Sequence, residues 1–495
     1  MKARNYLDGV PQSCWTAAAP TATRSPYGGR SKCDVVVVGA GIVGLSAALA
    51  LGEAGRKVVV LEARRVGRQV TGGSTAKITT QHGLIYRHLI DHVGRELAQA
   101  YATANQAGIR QIRDWIEAYR IDCSLESKSA YAYAVSPGWR EAIEREAQAA
   151  AGLGLDARVL DAAPLPFATS AALEFPDQGQ FNPANYLAGL ARAVEGNGGR
   201  VHEKSRAMQF ERDGDGWRVV TDGGAVHAGH LVMATNMTVQ SPAGYATRTQ
   251  PHSHVALAFR TMEAEPISGM FIGVDEPTHS LRTGADDKGS LLVALGPRFD
   301  TGSDGDVAAR FRDLERWTRE RLPVGEVAWR WCNEDYDTAD RMPFVGQPDA
   351  AKAPGFHVAT GFNAWGISNG TAAALTIAAE ITTGRRPWGS LYDPTRPSPE
   401  DFHRDGQSQS IRMEVDGLVP GEGGVISRGE EKIAVWRDDD GSLHAVSASC
   451  THKGCTVTWN NADRTWDCPC HGSLFEAGGE VIHGPARERL APRSL

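Results

Sequence analysis

Two short segments near the C-terminal end concentrate side chains that bind soft metals: Cys450-Thr451-His452-Lys453-Gly454-Cys455 and, 12 residues on, Cys468-Pro469-Cys470-His471-Gly472-Ser473. Thiolates and imidazoles are ligands of zinc and of iron–sulfur clusters, so Cys450, His452, Cys468 and His471 are candidate metal ligands. A Cys-x-His pair facing a Cys-x-x-His pair would suit a tetrahedral Cys₂His₂ zinc site. Two further cysteines, Cys455 and Cys470, argue against so simple a site. The other four cysteines, Cys14, Cys33, Cys123 and Cys332, are isolated in sequence and read as packing or surface thiols.

A second kind of chemistry is written near the start. Gly39-Ala40-Gly41-Ile42-Val43-Gly44 follows the β-branched run Asp34 to Val38 and opens an Ala/Leu-rich helical stretch from Ile42 to Ala54. Lys57 to Leu61 then reads as another strand, closed by Glu62. In such a βαβ unit Gly39 makes the tight turn, Gly41 lets a pyrophosphate approach the backbone, and Gly44 lets helix pack on strand. Glu62 is placed to accept from ribose hydroxyls. The context makes this a dinucleotide site, and the motif alone leaves NAD and FAD open.

Residues 34 to about 395 resemble the glycine/D-amino-acid oxidase family of FAD enzymes. Three blocks carry the resemblance: Gly39 to Glu62, Ala234-Thr235-Asn236, and Asp340 to Gly346 with Ala359-Thr360-Gly361-Phe362-Asn363-Ala364-Trp365-Gly366. It implies FAD rather than NAD, and it places Gly361, Asn363, Gly366 and Ile367 against the flavin ring. It likewise places Ser74, Thr75 and Ala76 against the diphosphate and ring, with Lys77 and His82 as near-flavin candidates; proximity alone offers His82 as a position for covalent attachment. Lys77 could equally be a solvated cation and His82 an ordinary loop histidine. Lys77 and Trp365 are the candidates for catalysis, and Asn333, Tyr336 and Arg341 are further substrate-pocket candidates, Arg341 reading better as a structural ion pair.

The C-terminal segments resemble the Rieske motif, in which two thiolates hold one iron of a [2Fe–2S] cluster and two imidazoles the other. The resemblance assigns Cys450 and Cys468 to one iron, His452 and His471 to the second, and a loop-tying disulfide to Cys455 and Cys470. Free thiols at Cys455 and Cys470 stay open, because disulfides are unusual in the cytoplasm. Gly484-Pro485-Ala486 matches the loop that covers such a cluster. Ser473 matches a serine that hydrogen-bonds a cluster sulfur, while Phe475 stands where the highest-potential members carry a tyrosine. The loss of that donor implies an intermediate potential within the Rieske range of roughly −150 to +300 mV.

These sites need elements to hold them, and the chain divides accordingly into an N-terminal arm over 1–32, an oxidoreductase region over 33–400 and a Rieske domain over 401–495. The expected fold is α/β, a Rossmann-like FAD-binding domain with an interleaved α+β substrate or cap part, followed by a small all-β domain. Residues 85 to 150 read largely as helices, with Leu84 to Tyr119 apolar at three- and four-residue intervals. Asn182-Pro183 starts a helix running to about Glu195, Asp306 to Arg321 reads as a charged helix, and an Ala-rich helix ends near 383. Pro387, Pro394, Pro397 and Pro399 then break all periodicity.

With 495 residues, 41% hydrophobic and 22% charged, the chain has the composition of a multidomain globular protein. A net charge of −7 without a basic run gives no support for nucleic-acid or anionic-membrane binding. No apolar leader or span is readable, so cytoplasmic residence is the default expectation. Flavins take electrons in pairs and [2Fe–2S] clusters carry them singly, so an amine or amino-acid dehydrogenase that drains reduced FAD through the cluster to an external acceptor is the expected function. The alternatives are a reductase or monooxygenase fed through the cluster, and a non-catalytic redox sensor or electron carrier.

Overall fold

The computed structural model describes residues 7–17, 23–240, 243–262, 266–303, 305–397 and 417–495. The boundary expected at 400 lies outside these residues.

The glycine motif sits where a nucleotide fold requires it. Strand Gly29–Val38 runs parallel to Val58–Leu61 on one side and Gly224–Met233 on the other, in an eight-stranded sheet. Val35 to Val38 are buried, as expected for a parallel strand covered on both faces. The strand starts at Gly29 rather than Asp34, because Gly29 to Cys33 pair with Gly224 to Ala228. Helix Ile42–Glu53 leaves the glycine turn and packs against helix Gly366–Thr383. Gly44 and Gly370 lie at this packing, where a Cβ on Gly370 would come within 3.1 Å of both Ile42 and Val43.

The second, eleven-stranded sheet is mostly antiparallel, with Val327–Thr338 and Thr249–Arg260 paired near one edge. The region read as helices from 85 to 150 is only partly so. Gly94, at φ +90°, separates helix Tyr86–Val93 from Arg95–Ala118, and strand Glu126–Ala134 intervenes before helix Arg140–Gly152. That strand is buried on both faces from Ala130 on, which removes the alternation that would mark it as a strand. Helix Pro183–Gly196 is as expected, its Asn182 side chain accepting the N–H groups of Ala184 and Asn185.

The N-terminal arm is docked in its described part. Val10–Pro11 pairs with Trp329 and Arg330, and Trp15 is buried. Residues 417–495 form the all-β domain, with a three-stranded sheet (Gly423–Arg428, Glu431–Arg437, Leu443–Ser447) and a four-stranded sheet ending in Val481–His483. Among the described residues, no helix is long and apolar enough to cross a membrane.

Candidate functional site: a flavin cleft walled by a cluster-binding domain

The glycine turn is built for close approach. Gly39 has φ +106°, and a Cβ there would strike the carbonyl of Ala234, so only glycine fits. Gly41 is the N-cap of the helix and offers no side chain; the Ile42 N–H donates to the Thr71 hydroxyl (3.2 Å), and Gly41, Ile42 and Val43 line the cleft. Glu62 takes the N–H of Ala40 on Oε2 (2.9 Å) and that of Arg64 on Oε1 (2.8 Å). Burial pushes its carboxyl up, while these backbone donors pull the other way. Gly39, Gly41, Glu62, Ser74, Thr75, Gly366 and Ile367 all line one cleft with Thr235 and Asn236, the arrangement an FAD needs.

The Ser74 loop is held from outside the cleft. Trp15 Nε1 donates to the Ser74 carbonyl (2.9 Å), Trp331 Nε1 to the Gly73 carbonyl (2.7 Å), and Arg282 Nη1 to the Thr75 carbonyl (2.6 Å). The N-terminal arm thereby braces a flavin loop from 59 residues away in sequence.

At the other end, the turn from Gly361 to Gly366 is anchored on strand Val327–Thr338. Asn363 and Ala364 both have left-handed backbones (φ +54° and +67°), a costly pair for non-glycine residues. Asn363 Oδ1 accepts the Thr338 N–H (2.9 Å), the Asn363 N–H donates to the Tyr336 carbonyl (3.1 Å), and the Ala364 N–H donates to Asp335 Oδ2 (2.6 Å). Asp335 lines the cleft, and burial pushes its carboxyl up to about 7.

Several expected near-flavin residues stand outside this lining. His82 is buried with Nδ1 against the Tyr101 hydroxyl (2.6 Å) and Nε2 against the Thr79 carbonyl (2.8 Å), and it stacks on Trp365 at 4.5 Å. Burial holds it neutral, with its pKa lowered to about 3. The Lys77 ammonium donates to the Phe271 carbonyl (2.9 Å) and contacts the Ser280 hydroxyl. Burial and the nearby Arg282 charge lower it to about 7. Gly44, Ala76, Gly361, Asn363 and Trp365 are likewise not among the lining residues. Asn333 does line it, Arg341 is exposed, and Tyr336 is fully buried, facing the β-domain instead of an open pocket.

In the β-domain the two motif loops meet. The thiols of Cys450 and Cys468 are buried and within hydrogen-bonding reach of each other, a contact that lowers the Cys450 thiol at the expense of Cys468. The His452 and His471 rings stand edge to face at 4.8 Å, and the buried Nδ1 of His452 has no hydrogen-bond partner. Two thiols within reach of each other and two facing imidazoles, one with an orphaned nitrogen, are donors of the kinds a Rieske cluster takes. Cys455 and Cys470 form a disulfide joining the loops, as the resemblance implied. Ser473 is fully buried, its Oγ accepting the N–H of Ala486 (3.0 Å) in the covering loop.

The β-domain is not merely tethered. Gly472 packs so closely on strand Val327–Thr338 that a Cβ there would lie 2.6 Å from the Tyr336 hydroxyl and 2.8 Å from Pro251, and would overlap Glu334. Arg206 donates to the Val481 carbonyl (2.8 Å), and Arg64 pairs with Glu476 (3.0 Å). Ile482, His483 and Gly484 line the flavin cleft itself. Sequence reasoning missed Glu334, Asp335 and His483. The one available signal was the acidic run Glu334-Asp335-Tyr336-Asp337 inside a strand, where such residues are scarce.

Residues 34–380 match the family described as FAD dependent oxidoreductase, and residues 410–493 match the Rieske [2Fe-2S] domain. The chain belongs to the FAD dependent oxidoreductase family. FAD and a Rieske [2Fe–2S] cluster are accordingly its cofactors, which closes the zinc and NAD alternatives. This oxidoreductase is 29% identical to the Rieske 2Fe-2S iron-sulfur protein YhfW of Bacillus subtilis (strain 168) across 99% of each chain. It is 31% identical to the gamma-glutamylputrescine oxidoreductase of Escherichia coli (strain K12), over 71% of this chain and 84% of that one. Among solved structures, the L-proline dehydrogenase of P. horikoshii superposes with a TM-score of 0.62 at 19% identity, covering 75% of this oxidoreductase and 98% of that chain, a likeness of fold.

Proposed function

We propose that this oxidoreductase removes hydride from a C–N bond of an amine or amino acid and passes the electrons through its cluster to an external acceptor. The observation that carries this reading is the shared wall, with His483 and Gly484 of the cluster domain lining the flavin cleft. When bound, the flavin supplies a hydride acceptor and the cluster a one-electron carrier. The amine class is supported by the names of the similar proteins, a gamma-glutamylputrescine oxidoreductase, an L-proline dehydrogenase and a glycine oxidase.

The chain's own residues bind, orient and handle protons. The glycine turn, Glu62 and the start of helix Ile42–Glu53 would hold the dinucleotide. Asp335 pins the Ala364 turn. His254 lines the cleft with Nδ1 against the Gly296 carbonyl (3.0 Å), and burial holds it neutral, its pKa lowered to about 4. That tautomer leaves Nε2 as the proton-accepting nitrogen. In this reading Lys77 and Trp365 act from behind the site, Trp365 by bracing the turn through its stack on His82.

The test is anaerobic titration of the holoprotein with a panel of secondary and tertiary amines and amino acids. Flavin bleaching followed by the EPR signal of the reduced cluster is the expected result. Reduction by NAD(P)H or ferredoxin alone would overturn the proposal in favour of a reductase fed through the cluster, and bleaching by no substrate would favour a redox carrier.

A further inference from the structure

One residue is bonded toward both cofactor sites. The Tyr336 hydroxyl oxygen lies 3.4 Å from the carbonyls of His471 and Gly472 and 3.5 Å from that of Gly484. His471 is a cluster ligand, and Gly484 belongs to the covering loop. At its other end, the Tyr336 carbonyl accepts the N–H of Asn363, in the turn assigned to the flavin ring, at 3.1 Å. Tyr336 is fully buried, and its phenol O–H is a donor facing carbonyl oxygens, which can only accept.

Its single proton is shared among three carbonyls that otherwise belong to two separate loops of the cluster domain. A donor at that point fixes both loops against strand Val327–Thr338. Gly472 makes the approach possible, since a side chain there would displace the hydroxyl. The neighbouring pair is less well connected, because His483 Nε2 comes only within 4.0 Å of Glu334. That gap breaks the alternative line from the cleft to the cluster loop.

We propose that Tyr336 is the positioning residue for electron transfer between the two centres, forming a bonded route from the flavin turn through its own backbone and phenol to the backbone of His471. This rests on the reading that electrons pass between flavin and cluster. Each passage removes one electron from reduced flavin and converts one ferric iron to ferrous. The cluster then gives that electron to an oxidised one-electron carrier protein before the second passage, and the two protons leave to solvent.

The substrate need not be known to test this. Laser-flash photoreduction of the holoprotein by 5-deazariboflavin injects single electrons, and flavin and cluster absorbance report their redistribution separately. Tyr336→Phe keeps the ring and loses the hydroxyl, while Tyr336→Leu loses both. Redistribution is expected to slow about tenfold or more in Tyr336→Phe, consistent with losing one positioning hydrogen bond. Midpoint potentials and the EPR spectrum of the reduced cluster should stay at their wild-type values. Wild-type redistribution in Tyr336→Phe, with slowing confined to Tyr336→Leu, would overturn the proposal and leave Tyr336 a packing residue. Absence of redistribution in the wild-type protein would instead overturn the underlying reading of flavin-to-cluster transfer.

Discussion

Ser473 and Ala486 are joined by a hydrogen bond of 3.0 Å, from the Ala486 N–H to the Ser473 hydroxyl oxygen, which ties a ligand loop to the loop covering the cluster. The same hydroxyl is within hydrogen-bonding reach of Cys450, so its O–H can donate to that sulfur while its oxygen accepts from Ala486. Donors to cluster sulfur favour the reduced state.

Ser473→Ala is therefore expected to lower the cluster potential. A lost hydrogen bond of about 1 kcal/mol corresponds to roughly 40 mV for one electron. Phe475→Tyr should move it the other way by supplying the missing donor. Spectroelectrochemical titration of both variants checks the pair of signs.

Gly39→Ala should fold yet lose its flavin. Its Cβ would meet the Ala234 carbonyl at a backbone angle that disfavours L side chains, so the turn must open where the pyrophosphate binds. The measurement is flavin absorbance per polypeptide after purification. The iron content, set by side chains on the two motif loops, which Gly39 does not touch, should be unchanged.

The flavin should come away from the protein on acid precipitation. Both ring nitrogens of His82 are engaged, by Tyr101 and by Thr79, so neither is available to form a bond to the cofactor. His82→Ala should leave flavin extractability unchanged and lower stability by about 2 kcal/mol, through the unpartnered groups left behind, as read by urea denaturation.

Asp335 gives a pH dependence whose sign is fixed by burial. Its folded-state value of about 7 lies above the unfolded one of 3.8, so the native state holds the extra proton between them. Stability therefore falls as pH rises from about 4 to 7, by up to roughly 4 kcal/mol, and levels off above. Asp335→Asn keeps an acceptor for the Ala364 N–H and should flatten that slope in denaturation curves recorded from pH 4 to 8.

How much of this was legible beforehand follows from the range of the interactions. That Gly39, Gly41 and Glu62 share one cleft was readable because a βαβ turn is local, and that the loops of Cys450, His452, Cys468 and His471 meet was readable because their spacing is short and regular. The faces of Glu334, Asp335 and Tyr336 were not, since they depend on where a domain many residues later docks on their strand. Tyr336 looked like a pocket residue from its place in the sequence, and only the position of Gly472 makes it a contact to the cluster loop. Lys77 and His82 follow the flavin loop in the chain, yet strand pairing and the Tyr101 hydrogen bond turn them elsewhere.

The wall contributed by Ile482, His483 and Gly484 also has a bearing on how the protein is made. Its flavin cleft begins at Gly39 but is closed by residues synthesised long afterwards, in a domain whose own fold encloses a cluster. Cofactor loading at the first site is thereby coupled to maturation of the second, and a chain that fails to acquire iron and sulfur would present an unfinished flavin site. On the proposed electron path, such an arrangement would keep a half-assembled chain from taking electrons from its substrate with no outlet for them.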